Sequence, residues 1–172
     1  MRSILFWIII CCLSFPNTGN SFDGKIPAGY RLPDKADYTQ EDQLRYKSNL
    51  PFEVAADFDG NGKNDTAVLL IKKDNSGWEL FVYMRDSNDE TDILSLAKAN
   101  SKLPILTMGI SLLDPGKIKT ACGKGYWDCK PGEPPELNLE NPGIQYFRFE
   151  SASSVFYWDA GLGQFNRIWL SD

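Results

Sequence analysis

The fold class that the sequence predicts is mainly β, or α+β by virtue of one short N-terminal helix: a single domain built as an antiparallel β-meander. Two observations carry this. Runs such as "FEVAADF" and "WELFVYM" place apolar residues at every second position, the period of a half-buried strand. Clusters of turn residues, "KDNSG", "DPGK" and "GLGQ", separate such runs, as hairpin connections do. No period of twenty to fifty residues recurs, so a repeat array is not expected.

The elements follow in order. "MRSILFWIIICCLSF" has one early arginine and then an unbroken apolar run from Ile4 to Leu13. A basic start, an apolar stretch too short to span a bilayer and small residues from Gly19 to Ser21 read as a secretory signal over residues 1–21. Lipidation would need a small residue just before Cys11 or Cys12, where Ile10 and Cys11 stand instead. Residues 22–172 then form one exported domain, about 150 residues sharing a single core.

Rich in Pro, Gly and charge, "GKIPAGYRLPDKADYTQED" predicts an irregular arm over the surface. Thr39, with Asp42 three residues on, predicts the cap of a short helix ending before Pro51. "FEVAADF" and the β-branched "TAVLLIKK" predict two strands, and "WELFVYM" a third, antiparallel to the second. "DILSLAKA" fits a helical turn or a strand, and its meander neighbours favour strand. Strands are also expected in "ILTMGISLL", "IKTAC", "IQYFRFES", "SVFYWDA" and "FNRIWLS", the last two as an aromatic hairpin. The proline-rich "KPGEPPELNLENPG" predicts an exposed, stiff excursion.

Composition narrows the function. The chain has 18 Lys and Arg against 23 Asp and Glu, a net charge of −5, and no histidine. No clustered basic surface is legible, which argues against a nucleic-acid partner. No second apolar segment follows the signal, so no stable membrane insertion is expected after its cleavage. Without histidine, Ser-His-Asp, Cys-His and imidazole-zinc chemistries are excluded. Cys122 and Cys129, in "CGKGYWDC", read as a disulfide closing a short loop in an exported protein.

Between the first two strands lies "DFDGNGKND", residues 57 to 65. With Asp57 at loop position 1, Asp59 stands at 3, Asn61 at 5, Gly62 at 6, Lys63 at 7 and Asp65 at 9. Calcium takes oxygens from side chains at 1, 3 and 5 and from a backbone carbonyl at 7, with glycine at 6 for the turn. Position 12, where a helix-loop-helix site carries a bidentate glutamate, is Val68. Asp65 must then close the shell, and the expectation is a strand-loop-strand site for Ca2+. Any tight surface turn also uses Asp, Asn and Gly. Three carboxylates within nine residues, however, repel one another without a cation.

The loop resembles the calcium loop of FG-GAP and VCBS repeats, which read D-x-D-x-[DN]-G-x-x-D before an apolar strand. That resemblance implies Asp57, Asp59, Asn61, Lys63 through its carbonyl, and Asp65 as ligands. Propellers carry several copies and this chain carries one. More widely, "IPAGYRLP", "VAADFDGNGKNDTAVLLI", "TACGKGYWDC", "GEPPELNL", "ESASSVFYWD" and "FNRIWLSD" together resemble a family of small exported bacterial proteins. This implies export and a fold, and no particular biochemistry.

The search for a catalyst yields little. "SLAK", Ser95 to Lys98, matches S-x-x-K without its S-D-N partner. Glu133, Glu136, Glu140 and Glu150 are the carboxylates available for glycosidic cleavage. Glu150 reads more simply as a strand-end group paired with Arg148 or Arg167 or bonded to Ser153. The tethered loop offers Lys124, Tyr126 and Trp127 as an interface anchor, unless the two aromatics pack down on the sheet. The expectation is therefore a non-enzymatic, periplasmic or secreted calcium-binding protein that presents a surface to an envelope protein. An immunity or inhibitor protein facing an envelope-targeted toxin is its narrower form. The alternatives are a cell-wall glycan hydrolase and a carbohydrate-binding module.

Overall fold

The computed structural model describes residues 22–47, 49–100 and 106–172. The expected signal with Cys11 and Cys12, and the start of "ILTMGISLL", lie outside them. Among the described residues the domain is mainly β with one α-helix, as expected, and its strands form two packed sheets and a separate two-stranded ribbon.

The first sheet is a meander of β2 (Glu53–Ala56), β3 (Asp65–Lys72), β4 (Trp78–Arg85) and β5 (Thr91–Ala99). The two-residue β1 (Tyr30–Arg31) shares with β2 the same edge of β3, pairing at Ile71 and Lys72 while β2 pairs from Asp65 to Val68. "DILSLAKA" is thus strand, antiparallel to β4 with a bulge near Leu80. The second sheet has the order β11 (Gln164–Ser171), β10 (Ser153–Asp159), β9 (Gly143–Arg148), β6 (Met108–Leu113).

The period-2 patterns decide how these sheets meet. Leu69, Leu80 and Val82 on the inner face of the first sheet pack against Ile110, Ile144 and Phe156 of the second. All are at most 4 % exposed, and each such burial stabilises by about 1.5–3 kcal/mol relative to exposure. Trp78 Nε1 donates to Tyr146 Oη across this core at 3.2 Å, so this buried indole donor has a partner.

β3 and β4 are buried on both faces. Val68, Leu70, Phe81 and Tyr83 point away from the second sheet and are covered by Phe22, Ile26, Tyr30, Leu32 and Phe52. The N-terminal arm is therefore more than a surface wrapping: it is the third layer over these strands. Beneath it Glu79 accepts from the Tyr30 and Ser95 hydroxyls.

The helix α1 (Gln40–Tyr46) begins as the capping signal predicts, with Thr39 Oγ1 accepting the Asp42 N–H at 3.1 Å. One expectation fails. "KPGEPPELNLENPG" is not all excursion, because Glu136–Leu139 forms β8 and pairs with β7 (Gly116–Lys119). Leu137 and Leu139 alternate within the proline-rich stretch, and Leu137 with Ile118 covers the outer face of the second sheet at Val155, Ile168 and Leu170. The prolines precede and follow those four residues, leaving their N–H groups free to pair. "IKTAC" is shorter than expected, since a 3-10 turn takes over at Cys122–Lys124.

Candidate functional site

The acidic loop leaves β2 at Ala56 and enters β3 at Asp65, which oppose each other in the ladder. Gly60 and Gly62 adopt φ of 78° and 85°, a left-handed conformation that glycine alone takes at little cost. These two turns fold the loop back on its first carboxylate. Asp57 Oδ1 accepts the N–H groups of Gly60 at 2.8 Å and Asn61 at 3.0 Å, and Oδ2 that of Gly62 at 2.8 Å. Asp59 is held by the Asn61 backbone N–H at 3.1 Å and by Asn61 Nδ2 at 3.0 Å.

Asp65 lies deeper and is 1 % exposed. Its Oδ2 accepts from Phe58 N–H at 3.0 Å and its Oδ1 from Arg85 N–H at 2.8 Å. Burial pushes the Asp65 carboxyl above its ordinary range, with Asp59 and Asp57 adding to the shift and the two N–H donors opposing it. Oxygens of Asp57, Asp59 and Asp65 come within 4.8 Å of one another. Asn61 Oδ1 accepts the Lys63 N–H at 2.8 Å, and its amide nitrogen reaches Arg85 O at 2.8 Å.

The loop has a cation of its own and does not use it here. Lys63 Nζ turns outward to Asp89 at 2.9 Å. Among the described residues no side-chain cation pairs with Asp57, Asp59 or Asp65. Each ionised carboxyl offers about four lone-pair sites, and the N–H bonds above leave several unfilled around the point where the three groups converge. Such a donor set, all oxygen and uncompensated, fits a hard divalent cation.

Phe58, the residue between the first two aspartates, is the feature that sequence spacing missed. It is fully buried and packs on Phe165 with ring centroids 6.3 Å apart, at an edge-to-face angle of 70°. The signal was present, since an aromatic within so polar a loop has no other reason to be there.

Cys122 and Cys129 form the expected disulfide. The loop they close is fixed further by Thr120, fully buried, whose Oγ1 donates to Pro134 O at 2.8 Å and accepts Gly123 N–H at 3.2 Å. Of the three surface residues expected there, Tyr126 is 53 % exposed. Lys124 Nζ instead donates to Leu170 O at 2.8 Å, and Trp127 Nε1 to Glu133 at 3.1 Å. Trp127 is half-buried and lines, with Pro134, Tyr157 and Ile168, a groove of about 790 Å³ beside β11.

Glu150 stands on the turn after β9 at φ 55°. Its partner is neither of the expected arginines nor Ser153: Arg45 Nη2 of α1 reaches it at 2.7 Å, because α1 packs beside that turn. Arg148 is exposed, and Arg167 is occupied with Ser154 Oγ at 3.0 Å. No helix among the described residues is long and apolar enough to cross a membrane. Comparison with protein-family models, with curated proteins and with solved structures finds no match.

Proposed function

We propose that Asp57, Asp59, Asn61, the Lys63 carbonyl and Asp65 bind one Ca2+, and that the domain is an exported, non-enzymatic protein presenting a preformed surface to a protein of the envelope. The observation that carries the metal reading is the convergence of three carboxylates within 4.8 Å with no side-chain cation paired with them among the described residues. Calcium is favoured over magnesium because an oxygen cage drawn wholly from protein suits the larger ion. The ion joins the end of β2 to the start of β3, and Phe58 couples that joint to the core. Its role is structural.

The disulfide supports export, since such bonds persist in oxidising compartments. Protein binding rather than catalysis is supported by the absence of histidine and by Glu150 being tied to Arg45. Immunity against an envelope-targeted toxin is the narrower form of the reading. A second reading, carbohydrate binding, is favoured by Trp127 and Tyr157 lining one groove; quenching of tryptophan fluorescence by cell-wall oligosaccharides tests it.

Thermal denaturation in calcium and in chelator tests the metal. A ligand at 100 times its Kd that binds only the native state stabilises it by about 2.7 kcal/mol. Identical curves for wild type in the two buffers would sink the reading. Pull-down from an envelope extract, with and without calcium, tests the partner.

A further inference from the structure

We infer that the free edge of β11, with the disulfide-pinned wall facing it, is a docking groove for an extended acidic segment of a partner protein, which adds to the sheet as a fifth strand. This rests on the protein-binding reading above and names its site.

The backbone sets the direction. Arg148 N–H donates to Ala152 O at 3.0 Å and closes the β9–β10 hairpin. Ala152 therefore turns its backbone groups toward β9, and so, at intervals of two, do Ser154 and Phe156. Val155 and Tyr157 turn to β11 instead, where they oppose Ile168 and Asn166. Phe165, Arg167 and Trp169 are left with their N–H and C=O groups pointing away from the sheet. From that side Ala121 N–H donates to Trp169 O at 2.8 Å, which fixes the same direction independently. Among the described residues no other backbone group bonds this edge at Phe165 or Arg167. A row of unpaired groups on an outer strand is a template for an incoming one.

The groove opposite is built rather than accidental. Its far wall, residues 130–134, is held by the Thr120 bond to Pro134 and by Glu133 against Trp127. A Cβ on Gly123 would meet Pro135 O at 1.8 Å, so this wall sits directly on the disulfide loop. Ordering it costs nothing at the moment of binding.

Charge selects the occupant. The Arg167 guanidinium lies over the Trp169 ring at 4.5 Å and the Phe156 and Tyr146 rings at 5.2 Å and 5.3 Å. Among the described residues no salt bridge takes Arg167 or Lys130; Glu133 also lines the groove, its carboxylate engaged by Trp127 Nε1 and the Lys130 N–H. In a protein of net charge −5, a groove with Arg167 and Lys130 against the single carboxylate of Glu133 is locally positive and complements an acidic segment. Side chains of an added strand alternate between faces. One set meets Arg167, and the other enters the apolar space between Trp127 and Tyr157. The segment is thus one in which Asp or Glu alternates with apolar residues.

The test is selection of a phage-displayed library of random twelve-residue peptides on the full secreted chain in calcium. Expected are clones alternating acidic and apolar residues that slow amide exchange at Phe165 and Arg167 by tenfold or more. Their affinity should fall at least tenfold on Arg167→Glu and hold for Arg45→Glu, which lies away from the groove. Retention of the wild-type calcium-induced thermal shift by Arg167→Glu shows that the variant is folded. A second variant, Arg167→Pro, deletes an N–H that only the incoming strand would use, and should also weaken binding tenfold. The inference is overturned if no alternating acidic clones enrich, if clones bind Arg167→Glu unchanged, if protection falls on β5 instead, or if the groove takes only oligosaccharide. A partner captured from envelope extract that is indifferent to Arg167→Glu overturns the β11 site while leaving the protein-binding reading standing.

Discussion

Asp65 accepts the backbone N–H of Arg85 at 2.8 Å, so the carboxylate that ends the acidic loop also ties β3 to the end of β4. With the Phe58 N–H on its other oxygen, it serves the fold before any ion arrives. Asp59, bonded only within the loop, does not. Asp65→Ala should therefore lower stability by about 2–4 kcal/mol with or without calcium, since two poorly solvated donors lose their acceptor. Asp59→Ala should leave the chelated protein nearly unchanged and remove its calcium-dependent shift in Tm. Chemical denaturation of both variants in calcium and in chelator separates the two roles.

The bond between Trp78 Nε1 and Tyr146 Oη joins the two sheets across their shared core. Tyr146→Phe keeps the ring and strands the indole N–H. Urea denaturation should show a loss of about 1–2 kcal/mol without a change in slope, because the surface exposed on unfolding is the same.

The Cys122–Cys129 bond closes a short loop. Chain-entropy arguments give it about 2.5 kcal/mol. The paired substitution Cys122→Ala with Cys129→Ala should lower Tm accordingly and leave the calcium-dependent shift in place, since the acidic loop is at a different end of the strands. Differential scanning calorimetry with and without calcium reads both.

Alkaline stability follows from Tyr30. Its hydrogen bond to Glu79, then burial, push its pKa from 10.0 up to about 12. The unfolded tyrosine ionises near 10 while the folded one keeps its proton. That contribution is full below pH 10 and is lost as pH rises toward about 12. Tyr38, Tyr83 and Tyr146 shift the same way because burial disfavours the phenolate. Tyr30→Phe should flatten the fall in stability across this window without abolishing it, as followed by circular dichroism against pH.

Much of the fold was legible because one face of each strand is buried: the alternation in "WELFVYM" and the cap at Thr39 translate directly into β4 and α1. β8 was hidden because its four residues sit among prolines, whose local preference outweighed the Leu137 and Leu139 alternation. The third layer was hidden for a different reason. "TAVLLIKK" announces a strand buried on both faces, but nothing local says that the cover over Val68 and Leu70 comes from residues forty positions earlier. At the loop, the positions of the three aspartates were readable from spacing and the lone aromatic was in view, but its partner Phe165 lies far away in sequence. The free edge of β11 is a property of sheet order and has no local signature.

The arm from Phe22 to Leu32 has a consequence for how long the folded domain survives proteolysis. It is joined to the rest by a two-residue strand, a few side chains and the Tyr83 hydroxyl's bond to Lys25 O at 2.9 Å, and Asp23 and Lys25 on it are exposed. One cut there would release Phe22 from the Tyr83 ring and loosen the cover that Ile26, Tyr30 and Leu32 keep over Val68, Leu70 and Phe81, an adhesive surface once bared. The working lifetime of the whole domain is then set by the durability of about ten residues at its beginning.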